Sequence, residues 1–91
     1  MPGLREAYVE LMLEDPGLGL EGFLRRAAAG EFGRFGRVDF LDFLDGVLRD
    51  TVASIHARAE ASGAGVLEVE ERIEERREAL AALAARYAPP G

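Results

Sequence analysis

Val66, Val69, Ile73, Arg76, Leu80, Leu83 and Tyr87 follow one another at alternating spacings of three and four residues. A helix of 3.6 residues per turn gathers such positions into one stripe, whereas a strand would scatter them over both of its faces. The pattern is the a/d seam of coiled-coil-like packing, so a second helix must lie against it. Pro89 and Pro90 end the helix, since proline supplies no backbone N–H and clashes with the preceding turn.

The partner helix is predicted over 39–61. Leu41, Leu44, Leu48, Thr51 and Ile55 recur at spacings of three and four, and Phe40, Phe43, Val47 and Val52 widen the apolar face until it touches neighbours on two sides. Asp39 serves as its N-cap or first-turn acid. Ser62-Gly63-Ala64-Gly65 separates the two long helices. Each is about 33 Å long, and so short a turn makes them antiparallel neighbours.

Ahead of this hairpin, Leu4, Tyr8 and Leu11 form one stripe with Met12 beside it, which predicts a short amphipathic helix over 4–14. Asp15-Pro16-Gly17 stops it. A second short helix over 20–29 buries Phe23, Leu24 and Ala27 and ends at Gly30, with no good N-cap residue before it. Residues 30–38 form a Gly/Arg/Phe loop. The reading is all-α and a single domain over 1–91: two short helices within 4–29, the loop, and an antiparallel αα-hairpin over 39–88.

A chain of 91 residues buries only about 60–65% of its unfolded surface, so the core of one copy is thin. No apolar run approaches the ~20 residues that span a bilayer. The first six residues lack the basic and apolar stretches of a signal peptide, and a cytoplasmic location is expected. Without cysteine there are neither disulfides nor thiolate metal sites. Lys, Asn, Gln and Trp are also absent and every cation besides His56 is an Arg, a thermophile-like composition that a GC-rich genome would equally produce. The net charge of −6 opposes a protein whose main task is to neutralise phosphates.

Arg25, Arg26, Arg34 and Arg37 with Phe32 and Phe35 among them make the one basic patch, with Glu31 its only acid. Guanidinium planes grip phosphate and aromatic rings stack on bases, so this patch is the candidate nucleic-acid surface. The alternative has both rings plugging the core while the arginines pair with acids. Asp39, Asp42, Asp45 and Asp50 line a helix flank, and Glu68, Glu70, Glu71, Glu74, Glu75 and Glu78 crowd the last helix. Carboxylates at i and i+4 can share a divalent cation, but Glu68/Arg72 and Glu74/Arg77 are equally spaced for ordinary ion pairs. His56 is the lone histidine, and Thr51, Ser54 and Ser62 lie in no GxSxG context. Arg76 is the one charge on the seam. It either pairs with Asp45 or Asp50, crosses a dimer interface, or lays its stem over the apolar stripe with its head in water.

The run Glu70, Glu71, Glu74, Glu75 resembles a fragment of the acidic metal-binding pattern of all-α nucleotide pyrophosphohydrolases of the MazG type. That resemblance implies Mg²⁺ held between facing helices. In that family an ExxD element follows on a later helix, whereas here the only partners, Asp39, Asp42 and Asp45, lie upstream, so the order is reversed.

The leading expectation is a non-enzymatic protein-interaction or regulatory module with no cofactor and no metal. It is expected to act as a homodimer whose two hairpins make a four-helix bundle, with Arg76, Leu80, Leu83 and Tyr87 setting dimer or register. The alternatives are a nucleic-acid-associated protein using Arg25 to Arg37 and an Mg²⁺-dependent nucleotide hydrolase.

Overall fold

Glycine opens three of the four helices. Gly3, Gly36 and Gly65 are the N-cap residues of α1 (Leu4–Glu14), α3 (Arg37–Ser62) and α4 (Val66–Tyr87), while α2 (Gly19–Ala28) starts after Leu18 with no side-chain cap. Having no side chain to cap with, Gly3 and Gly36 instead donate their own N–H groups to acids three residues on, Glu6 Oε2 at 2.9 Å and Asp39 Oδ2 at 3.0 Å. That is half of a capping box, with the carboxylate placed at the positive end of the helix. Asp39 is therefore a first-turn acid, and α3 begins two residues earlier than its apolar pattern announces. Arg37 and Val38 belong to the helix and not to the loop.

The computed structural model describes residues 3–90. Among them the chain is all-helical, and no helix is long and apolar enough to cross a membrane. At the end of α3 the backbone turns over Gly63, whose φ of 71° is the left-handed conformation that side-chain-bearing residues resist. The N–H groups of Gly63 and Ala64 both reach the Ala59 carbonyl, and α4 runs back along α3. Residues 41–48 of α3 consequently share a cleft with 77–84 of α4, and residues 51–58 share another with 72–76.

The core lies at one end of this helix pair. Leu4, Ala7 and Leu11 of α1, Phe23, Leu24 and Ala27 of α2, and Phe40, Phe43 and Leu44 of α3 form one buried cluster, against which Leu80, Leu83 and Tyr87 of α4 pack half-buried. Phe23 is fully buried at its centre. Tyr8 meets it edge-on at 5.1 Å, Phe43 lies tilted at 5.3 Å and Phe32 stacks on it at 5.2 Å. Ring pairs at these separations add roughly 0.5–1.5 kcal/mol each beyond the area they bury.

Beyond this head the two long helices continue alone as an arm. The radius of gyration is 14.4 Å and the extents are 43 × 29 × 19 Å, against about 12 Å for a compact chain of this length. The seam residues predicted on α4 are unequally covered: Val69 is buried, Ile73 is half-buried, and Val66 at the tip is 74% exposed. On α3, Leu48, Thr51, Val52 and Ile55 are likewise only half-buried. The helix expected to be the spine of the core fulfils that role for its first turns only, because α1 and α2 are too short to follow it further.

Candidate interaction surfaces

The Gly/Arg/Phe segment is the first candidate. Phe32 is committed to the Phe23 stack, and Phe35 packs against the core between α1 and α3. Phe32 is the more committed of the two rings, being stacked on Phe23. Arg26 donates from Nε to Glu31 Oε2 at 2.7 Å, and its guanidinium lies 5.8 Å from the Phe32 ring centre. Arg25, Arg34 and Arg37 are exposed and pair with no carboxylate among the described residues. The patch is basic, with Phe32 and Phe35 half-buried and Phe35 lining clefts beside Arg34.

The α3–α4 layer presents two different sides. On the side of α1, Arg76 lines a cleft with Tyr8, Asp50, Thr51, Arg58 and Glu75. Its expected partners are elsewhere: Asp50 accepts from Arg5 Nη2 at 2.9 Å, and Asp45 sits on the opposite side of the layer. Arg76 itself is exposed and pairs with no carboxylate among the described residues. Leu83 and Tyr87 pack toward the head, so of the four residues expected to set dimer or register, only Leu80 borders the opposite side.

That opposite side was not legible as a unit. Leu41, Leu44 and Leu48 of α3 and Leu80, Ala81 and Ala84 of α4 form the floor of a shallow depression of about 250 Å³. Asp42 and Asp45 border it from α3, and Arg77 borders it from α4. Leu41 is 40% exposed and Val38, one turn before it, is 70% exposed. The signal was present in the sequence as the Leu41/Asp45/Leu48 and Arg77/Ala81/Ala84 spacings, but only the packing shows that they adjoin.

A second feature with no sequence forewarning is the cleft between α1 and α3, about 610 Å³, with Leu4, Tyr8, Phe35, Phe43 and Val47 in its walls and Arg5, Arg34, Asp39, Asp42 and Asp50 among its charged lining.

The chemistry-bearing side chains are otherwise dispersed. Among the described residues no group of three or more His, Cys, Asp and Glu side chains converges as a metal-holding set. Glu68 accepts from Arg72 at 2.9 Å, and Glu74 lies 3.8 Å from Arg77. Thr51 donates its hydroxyl to the Val47 carbonyl at 2.8 Å, Ser62 bonds the Ala59 carbonyl at 3.5 Å, and His56 is exposed. Glu21 is held by two donors. Its Oε2 accepts from the Tyr87 hydroxyl at 2.9 Å and from Arg86 Nη1 at 2.7 Å, and these two bonds, the Tyr87 one foremost, hold its pKa below the usual carboxylate range. Both donors come from the last turn of α4, which makes the site a structural latch between α2 and α4.

Compared with known protein families, with curated proteins and with solved structures, the chain matches none.

Proposed function

We propose that this chain is a small, cytoplasmic, non-enzymatic protein-interaction module whose working form is a homodimer, the two helix pairs making a four-helix bundle flanked by α1 and α2. The observation that carries the reading is the outer side of α3 and α4, where apolar residues of two long helices lie at the surface with no element over them. Burying such a face is worth roughly 25 cal/mol per Å² of apolar surface, and a thin single-copy core has most to gain from it. Sedimentation equilibrium over a wide concentration range tests this. A dimer that persists at low micromolar concentration supports the reading, and a monomer at every concentration removes it.

The three unpaired arginines favour one other reading, a nucleic-acid-associated role for the segment from Arg25 to Arg37. Affinity of that kind falls steeply with salt. Binding to a labelled single strand that is lost on the double change Arg34→Ala and Arg37→Ala would support it, while absence of binding at low salt would discard it.

A further inference from the structure

Resting on the homodimer reading above, we infer that a second copy of this chain docks on the outer side of α3 and α4 about a two-fold axis running along the helix pair, so that Asp45 of each copy meets Arg77 of the other. The molecule is 19 Å thick in its least dimension, which is two helix layers at the usual interaxial distance of about 8–10 Å. α1 and α2 pack on each other and on α3 and α4, yet no residue of α1 or α2 lines the cleft formed by 41–48 and 77–84.

The uncovered side has an apolar floor with opposite charges on its two edges. Its acidic edge belongs to α3 and its basic edge to α4. Asp42 and Asp45 pair with no cation among the described residues, where Arg77 has one carboxylate within 4 Å, Glu74 at 3.8 Å. A surface with this pattern is complementary to itself in one orientation. When the two-fold axis runs parallel to the helices, α3 of one copy lies on α4 of its partner and acid meets base twice. When the axis runs across them, α3 lies on α3 and acid meets acid. Like charges set opposite each other suppress pairing, so the charge pattern selects the first arrangement, with both heads at the same end of the bundle. Ala81 and Ala84, small residues on the facing surface, let the helices approach closely.

The test is sedimentation equilibrium of the full chain, the Asp45→Arg variant, the Arg77→Asp variant, and an equimolar mixture of the two, each checked for helix content by circular dichroism. In this geometry either variant alone places like charges at both contacts, and its self-association weakens by about tenfold or more. The mixture restores opposite charges at both contacts and regains the wild-type dimer as a heterodimer. A wild-type monomer overturns both this inference and the homodimer reading. Variants that dimerise as tightly as wild type overturn the inference alone and leave a dimer built on another surface. Variants that are weakened but not rescued by mixing overturn the pairing. Ala81→Arg supplies an independent probe should either charge variant fail to fold: it puts a long cation in the middle of the interface, and an undiminished dimer would refute the docking face.

Discussion

Tyr87 donates its hydroxyl to the carboxylate of Glu21 across 2.9 Å, joining the last helical residue of α4 to the first turn of α2. The bond spans 66 residues of sequence. Arg86 adds a second donor to the same oxygen. Since α2 would otherwise be held only by its apolar side, this latch fixes the angle at which the C-terminal turn closes the head.

The latch makes stability depend on acid. Glu21 titrates below its ordinary range when folded, so the unfolded chain takes up the proton first and protonation favours unfolding. The contribution is complete above about pH 4.3, the ordinary glutamate value, and is lost as pH falls through the lowered folded value. Urea titrations of wild type and Glu21→Gln at a series of pH values are expected to show the variant less stable at neutral pH and the gap closing on the acid side.

Removing the Tyr87 hydroxyl alone isolates the largest contribution to that shift. Tyr87→Phe keeps the ring against the core and deletes one hydrogen bond to a partly exposed carboxylate. A small but measurable drop in the urea midpoint is expected. A larger loss would mean that the ring had moved.

Phe23 is where the head is most vulnerable. It is fully enclosed by Tyr8, Phe32 and Phe43, and a Phe→Ala change in such a site costs about 3–5 kcal/mol. A domain of this size has roughly 5–14 kcal/mol in total. Phe23→Ala should therefore remove about a fifth or more of the stability, read as a lowered thermal midpoint by circular dichroism.

Gly46→Ala sets two effects against each other. A Cβ at this position would lie 3.3 Å from Arg5 Nη1, the far end of a flexible side chain, and would nudge Arg5 away from Asp50. The exposed ion pair at stake is worth about 0.2–1 kcal/mol, whereas replacing glycine by alanine inside a helix gains about 0.8–1.0 kcal/mol. The helix term wins. The variant should be more stable than wild type by a few tenths of a kcal/mol, checked by urea denaturation.

Most of the helices were readable because their apolar residues carry the period. Leu4, Leu11, Phe23, Leu24 and Ala27 are buried as their spacing predicts, and Asp15-Pro16-Gly17 separates α1 from α2. The start of α3 was read two residues late because its cap is a glycine: the signal is Asp39 reaching back to Gly36, which an apolar pattern does not carry. Periodicity also assigned Arg76 to the seam, yet a stripe shows only which residues face together. It does not say which side of the stripe the short helices cover, and that decides that Arg76 faces the α1 side while Arg77, its neighbour in sequence, borders the open one. The cleft between α1 and α3 was illegible for a similar reason, being made of residues from segments 4–9, 34–35 and 39–50 that no local pattern relates.

The head draws its residues from two distant stretches of the described chain, 4–47 on one side and 80–88 on the other, while the intervening arm connects them. Order of assembly follows from this. A chain emerging from the ribosome can form α1, α2 and the first turns of α3, but Leu83 and Tyr87 emerge some forty residues later, and the apolar faces they cover stay wet until then. Loop closure over so long a span delays the final step further. Loss of residues 83–88 would thus leave the head without its closing turn, whereas removing one matched pair of turns from the arm would leave every head contact in place.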